Sequence, residues 1–296
     1  VLLMVIMACW GLNIPAVKVI ASVMDVAWAG ALRMVLAAGV LCLIVWYRHR
    51  AWPRLTRHQW AWMVLAGFFL VYANQLFFVR GMMFATATNA SLITALTPSM
   101  SLVAAALVFR DRIRPLMALG VLVGFVGVGL VTFKSPGASL HPAGLGELYL
   151  VLGLLVFVIG GLVVQRVSAG MDALTVGWGV YTTGSFMLCV HLYAVGGARE
   201  AMEQIQDPVV LGCLVYSGIL GTALSNVGWY KAIGRIGILR AGAFFYWLPI
   251  FGVSFSALLL GEELTLWHLA ALLLVLAGTR IGVAAQRKQP VESAPK

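Results

Sequence analysis

Lys, Arg, Asp and Glu are confined to short stretches of this 296-residue chain. Between those stretches lie apolar runs of about twenty residues, the length an α-helix needs to cross a hydrocarbon core of ~30 Å. Long runs of this kind, rather than weak alternating ten-residue segments, exclude an outer-membrane barrel. Hydrophobic residues make up 62% of the chain, charged residues 10%, and the mean hydropathy is +0.98, against roughly 25% charged residues in a soluble domain. The chain therefore reads as an all-α polytopic membrane protein with ten transmembrane spans, over 1–21, 27–47, 58–80, 88–109, 114–133, 146–167, 173–195, 208–230, 238–260 and 265–285.

The formal charge of +10 sits in short loops with no basic face to display, so it reads as a topology signal and not as a nucleic-acid surface. Arg48, Arg50, Arg54, Arg57, Arg110, Arg112, Arg114, Arg166, Lys231, Arg235, Arg240, Arg280, Arg287, Lys288 and Lys296 fall on one side, fifteen of the twenty Lys and Arg residues. The other side is assigned Lys18, Arg33, Arg80, Lys134 and Arg199, with the acidic loop Glu200, Glu203 and Asp207. Both termini are then expected in the cytoplasm. The first segment has no basic n-region and no small-residue cleavage site, and it reads as a retained helix. Cys9, Cys42, Cys189 and Cys213 fall inside apolar runs without metal-ligand spacing, so no metal and no cofactor is expected.

A second constraint is internal. Gly67 to Val131 lies over Gly218 to Gly282 without a gap at an offset of 151, which matches Gly67, Ala90, Pro98, Ala106, Leu107, Leu122 and Gly127 to Gly218, Ala241, Pro249, Ala257, Leu258, Leu273 and Gly278. The leading spans repeat more weakly at an offset of 147, placing Met24-Asp25 over Met171-Asp172, Trp10 over Phe157 and Lys18 over Gln165. Five spans per half is an odd number, so the halves must enter the membrane with opposite orientation. The loop charges agree: Arg110, Asp111 and Arg112 close the fourth span on the basic side, and Gly261, Glu262 and Glu263 close the ninth on the other. The predicted organisation is a first half at 1–133, a linker at 134–145, a second half at 146–285 and a disordered tail at 286–296. Such duplication in a membrane chain marks transporters with a midplane substrate site.

The stretch from Asn74 to Ala90, then Leu96-Thr97-Pro98 and Arg110-Asp111, with a second copy through Leu248-Pro249, Gly261-Glu262 and Gly278, resembles the twin EamA domains of the drug/metabolite transporter superfamily. Ala8-Cys9-Trp10-Gly11-Leu12-Asn13 resembles that family's first-helix pattern. The resemblance covers nearly all of the chain except the tail. It departs at Arg110-Asp111, where the family often carries the Gly-Glu pair that stands here at Gly261-Glu262. The resemblance implies ten helices in a basket-like arrangement. Within the family the chain is similar to aromatic amino acid exporters, which implies outward movement of aromatic and other neutral amino acids.

Read from the residues, a midplane cavity needs groups for a zwitterion and an apolar wall. Trp10 and Asn13 share a helical face, and Asn13 either binds substrate or bridges helices. Tyr72 and Gln75 share a face on the third span, with the same two readings. Ser91, Thr94, Pro98 and Ser101 form a small, polar stripe, which is either close helix packing or a lining. Its counterpart reads Gly242, Phe245, Pro249 and Gly252, with Tyr246 and Trp247 beside it as a candidate aromatic wall. Trp178, Tyr181 and Ser185 give a similar face on the seventh span. Pro98 and Pro249 are candidate hinges or static kinks. Arg80 and Lys231 either guard the two mouths or snorkel to solvent. Gly120 with Gly124, and Gly278 with Gly282, are close-packing patterns of the scaffold or of a dimer face.

None of the ten acidic residues falls in the middle third of a predicted span. A proton-driven antiporter usually carries such a group, and His191 lies toward the end of its span. A facilitator is therefore expected, with a proton-coupled exporter of another small-solute class as the alternative. No HExxH, GxSxG or P-loop pattern points to an enzyme, and the apolar runs lack the continuous polar lining of a channel. The expected partners are a small-molecule substrate, amino acids, and the lipid bilayer of a bacterial inner membrane, with the protein acting as a monomer.

Overall fold

Helix starts in this chain are written by side chains that satisfy otherwise orphaned backbone N–H groups. Asp25 accepts from the Ala27 N–H at 2.8 Å, Asp207 from Val209 at 2.7 Å, Thr86 from Asn89 at 3.0 Å, and Thr56 forms a capping box with Gln59. Each cap contributes about 1 kcal/mol and turns the chain at the end of an apolar run. The computed structural model describes residues 1–50, 52–109, 115–134, 144–167, 171–236 and 243–287, and among them every regular element is helical. Arg110, Asp111, Arg112, Arg114, Arg240, Gly242, the linker positions 135–143 and the tail beyond Arg287 lie outside the described residues.

The elements in order are α1 (Leu2–Val23), α2 (Val26–His49), α3 (Arg57–Gly67), a π-helical segment (Phe68–Ala73), α4 (Asn74–Phe84), α5 (Ala87–Thr94), α6 (Thr97–Phe109), α7 (Pro115–Lys134), α8 (Leu145–Val167), α9 (Ala173–Val195), α10 (Ala198–Ile205), α11 (Pro208–Val215), a second π-helical segment (Tyr216–Leu224), α12 (Ser225–Ile236), a 3-10 turn (Ala243–Tyr246), α13 (Trp247–Leu260) and α14 (Leu266–Arg287). Among the described residues seven stretches are long and apolar enough to cross a membrane, and Ala118–Phe133, Phe244–Leu260 and Leu266–Ile281 are shorter apolar helices. These ten stretches overlap the ten predicted spans. The short helix α10, which buries Ala201, occupies the acidic loop and was not foreseen.

Two spans are interrupted, and each interruption comes just before the proline expected to bend it. Helix α5 ends at Thr94 and α6 begins at Thr97, so Pro98 is the second residue of a new helix. In the other copy the 3-10 turn ends at Tyr246, and Pro249 is the third residue of α13. Proline is tolerated in a first turn because its missing N–H is not needed there. An offset of 151 carries residues 95–96 onto 246–247, so both breaks occupy one repeat position. Broken backbone at membrane depth must be satisfied internally. Here Thr97 Oγ1 donates to the Thr94 carbonyl at 2.5 Å, and Thr279 Oγ1 of α14 donates to that of Ala95 at 3.2 Å.

The two π-helical segments also correspond, since the same offset moves 68–73 onto 219–224, inside the second segment. Gly67, just before the first, lies against the Val180 carbonyl and Thr183 of α9, and Gly218 in the second lies against the Arg33 carbonyl and Leu36 of α2. An offset of 147 carries Arg33 and Leu36 onto Val180 and Thr183, so the two contacts match residue for residue. A further matched pair has exchanged its side chain. Asn13 of α1 fills the space beside Gly221, whereas Leu70 fills the space beside Gly160 of α8, the positions related by the same two offsets. Packing is closest between α7 and α14, α4 and α8, α2 and α9, and α1 and α13. The α7–α14 contact brings Gly278 onto the backbone of Gly120 and Gly124, so the glycine pattern serves packing within the chain.

Candidate functional site

Asn13 sits near the middle of α1, and it is the first member of a polar chain that is buried at Ser217, Arg33 and Gln75. Ser217 Oγ, in the second π-helical segment, donates to Asn13 Oδ1 at 2.5 Å. Arg33 Nε donates to Ser217 Oγ at 2.5 Å, and Arg33 Nη1 donates to Gln75 Oε1 at 2.9 Å. Gln75 then donates to Asn74 Oδ1 at 3.2 Å, and Asn74 to the Gly153 carbonyl at 2.9 Å. Five elements are thus tied together: α1, the second π-helical segment, α2, α4 and α8.

Arg33 is the hub, and its position corrects the loop assignment made from charge counting. It is the eighth residue of α2 and only 2% exposed. At 1.5 Å per residue, Arg33, Ser217 and Gln75 lie roughly 10–14 Å inside their helices, near mid-depth of a ~30 Å core. Burying a guanidinium costs several kcal/mol unless it is compensated, which makes an ionisable residue at membrane depth a candidate for a functional site. A signal was present: Arg33 interrupts an apolar run, whereas most other cations flank one. Lys18 needs the same correction. It belongs to α1, and its Nζ donates to the Met82 and Ala85 carbonyls, each at 2.7 Å, at the end of α4.

Beside the polar chain stands an aromatic cluster. The Trp10 ring lies 5.5 Å from Trp229 and 5.6 Å from Phe245, and Trp229 and Phe245 meet edge to face at 5.0 Å. Trp10 and Asn13, three residues apart, present ring and amide on one face of α1. On α12, Asn226 and Trp229 have the same spacing, and Asn226 Nδ2 donates to Tyr181 Oη at 3.0 Å. Tyr181 packs against clusters that include Ala31, Met34 and Ala37 of α2, the helix that carries Arg33. Trp10, Asn13, Gln75 and Tyr181 of the predicted residues are therefore drawn into one neighbourhood with Arg33, Ser217, Asn226 and Trp229, which sequence reading missed.

The remaining predicted residues go elsewhere. Tyr72 bonds His191 Nδ1 of α9 at 2.8 Å. His191 borders a surface groove lined by Asp25, Leu76, Phe77, Arg80 and Tyr149. Arg80 is exposed over the Phe84 ring at 5.4 Å, and Lys231 is exposed on α12. Thr94 Oγ1 bonds its own helix at Ala90, beside the break. Ser91 packs against Gly252 of α13, so that part of the stripe serves helix contact. Tyr246 ends the 3-10 turn. Trp247 is 44% exposed and lies 6.1 Å from Phe251, outside the ring cluster of Trp10, Trp229 and Phe245.

At the opposite end from the basic loops, acids act as ties. Glu262 accepts from the Ala87 and Thr88 N–H groups at 2.7 and 2.8 Å, capping α5 from another helix pair. Glu147 accepts from Asn89 Nδ2 at 2.7 Å. With Lys18 these bonds hold the α4–α5 corner to α1, α8 and the α13–α14 loop, and they give the Gly261-Glu262 pair a structural task.

The polar chain, buried at Arg33, Ser217 and Gln75, and the partly buried ring cluster stand together inside an apolar helical bundle. The sequence model of the EamA-like transporter family matches residues 1–133 and 144–283. The chain belongs to that family. It is similar to an uncharacterized transporter, YetK, of Bacillus subtilis, at 21% identity over 96% of this chain and 86% of that one. An uncharacterized transporter of Archaeoglobus fulgidus is 24% identical over 93% and 94% of the two chains. A WAT1-related protein of Arabidopsis thaliana is 23% identical over 72% and 68%. A solved crystal structure superposes with a TM-score of 0.65 at 16% identity over 98% of both chains, a likeness of fold. This EamA-like chain is thus a membrane transporter, and its two matched segments meet across the stretch expected to be the linker.

Proposed function

We propose that this EamA-like transporter exports aromatic and other neutral amino acids across a bacterial inner membrane by alternating access, acting as a monomeric facilitator. Its ten helical stretches form two inverted five-helix halves in a basket, with both termini cytoplasmic. One observation carries the substrate reading: the Trp10, Trp229 and Phe245 ring cluster adjoins the Asn13–Ser217–Arg33–Gln75 chain through a shared face of α1. An apolar aromatic wall beside a few directed polar groups is the usual composition of a small-molecule site. An amino acid with a large side chain matches both parts.

The inverted arrangement is supported by the Gly67 and Gly218 contacts, by the corresponding π-helical segments and by the two breaks ahead of Pro98 and Pro249. Those breaks supply paired joints at which part of a span can turn without tearing a continuous helix. The facilitator reading is supported by the acidic residues, none of which falls in the middle third of a span.

The test is counterflow of labelled phenylalanine in proteoliposomes, with a competitor panel of amino acids, nucleobases and sugar phosphates. Exchange is expected with no pH or voltage difference, blocked by tryptophan, tyrosine and leucine. Exchange only under an imposed gradient points to proton coupling. Competition by nucleobases or sugar phosphates alone overturns the substrate class.

A further inference from the structure

The hydrogen bonds around Arg33 all run one way. Its two partners, Ser217 Oγ and Gln75 Oε1, are neutral acceptors, and each passes its own donor outward, to Asn13 and to Asn74. Of the five guanidinium N–H groups, one on Nε and one on Nη1 are used in these bonds. The other three, including both on Nη2, meet no acceptor among the described residues. No carboxylate faces Arg33 among the described residues, and in the sequence no Asp or Glu falls in the middle third of a span. The neighbourhood therefore holds a fixed cation with spare donors and no fixed anion to neutralise it. A buried charge in this state is complete only when an anion joins it.

Resting on the amino acid reading above, we infer that Arg33 is the carboxylate receptor of the transport site, and that a substrate must bring a single carboxylate while its amino group is dispensable. A planar guanidinium with an open edge takes a carboxylate through two parallel N–H···O bonds. Among the described residues, the polar groups placed beside it, those of Tyr181, Asn226 and Asn13, offer an ammonium neutral oxygens and no carboxylate. The ring cluster then receives the side chain three residues along α1 from Asn13. Aromatic monocarboxylates without an amino group thus form a second substrate class, and aromatic amines are excluded. The flanking π-helical segments provide the adjustment that opens the hub, since Ser217 lies in one and Gln75 two residues beyond the other. Such segments often occur at functional sites.

Three solutes with one ring separate the two ends: phenylalanine, 3-phenylpropionate and phenethylamine. Each is titrated against labelled phenylalanine counterflow in proteoliposomes of the full chain. Wild type is expected to be inhibited by 3-phenylpropionate within about threefold of unlabelled phenylalanine. Phenethylamine should be at least about tenfold weaker, the loss of a charge-assisted hydrogen-bonded pair. Equal inhibition by phenethylamine and 3-phenylpropionate overturns the role of Arg33 and leaves the amino acid reading standing. Absence of competition by phenylalanine itself removes that reading and this one with it. In Arg33→Lys, which keeps the charge but loses the fork, the preference for carboxylates should persist at weaker affinity. In Arg33→Gln it should vanish. If Arg33→Gln fails to fold, the wild-type series alone decides, because it requires no variant.

Discussion

The two halves of this transporter tie corresponding helices together with hydrogen bonds that run in opposite directions. In the first, Arg33 of α2 donates to Gln75 just beyond a π-helical segment. In the second, Asn226 just beyond the other π-helical segment donates to Tyr181 of α9. The offset of 151 carries Gln75 onto Asn226, and that of 147 carries Arg33 to Val180, next to Tyr181. A backbone device was thus duplicated and only one copy was charged. The difference teaches that matched backbone positions can be kept while single side chains diverge, and under the proposed function the first would serve as frame and the second as recognition.

If the frame is common to both halves, damage to it should be symmetrical. Gly67→Val and Gly218→Val each drive a side chain into a backbone neighbour and a side chain of the facing helix. Each should cost about 3 kcal/mol, the upper end of ordinary overpacking. The check is monodispersity and thermal melting in detergent. A large loss for one glycine and none for the other would break the correspondence of the halves.

Damage to recognition should be unequal. Gln75→Leu takes an acceptor from a buried cation and should cost roughly 2–3 kcal/mol of stability. Asn226→Leu removes a neutral interhelical bond, worth about 0.6 kcal/mol on average in membrane bundles. Melting temperatures measured with and without substrate read both. Equal costs would mean that Arg33 carries no uncompensated charge.

Much of the frame was legible in the sequence because hydropathy and loop charge act at the scale of whole spans. Pro98 and Pro249 marked places where a span can bend, although not that α5 stops at Thr94 ahead of the one and that a 3-10 turn gives way to α13 ahead of the other. The caps at Asp25, Asp207 and Thr56 lay where apolar runs began. The site was less legible, for a physical reason. Arg33 carries the same letter as an arginine in a loop, and only its neighbours in space, Ser217 and Gln75, distinguish a buried hub from a topology signal. Ser217 lies 184 residues away in sequence from its partner, beyond any local pattern. Trp247 carried an aromatic expectation that the helix turn assigned to Phe245 instead. Asn13 was picked out because an amide at membrane depth always needs a partner, and that rule holds without knowing which partner it is.

The aromatic wall gives a smaller and purely functional contrast. Trp10 belongs to the ring cluster, whereas its repeat counterpart Phe157 is 42% exposed. Trp10→Ala should weaken phenylalanine counterflow about tenfold, or some 1.4 kcal/mol, with a lesser effect on alanine exchange. Phe157→Ala should leave both unchanged. Equal loss of phenylalanine and alanine exchange in Trp10→Ala would indicate a packing role for the ring and move the pocket elsewhere.

The smallest effect belongs to the related cations at the span ends, Arg80 and its counterpart Lys231, both exposed. A solvated charge at a mouth can only raise the local concentration of a carboxylate, and salt screens that attraction over about 10 Å at 0.1 M. Arg80→Ala and Lys231→Ala should therefore each lower counterflow by less than about threefold at low ionic strength, and the deficit should disappear at 0.5 M salt. The comparison with Arg33 is the point of this measurement: a buried cation whose partners are neutral is not screened, so a variant at Arg33 must keep its deficit at every salt concentration. A deficit at Arg33 that salt abolishes would place its charge in water and return it to the loops.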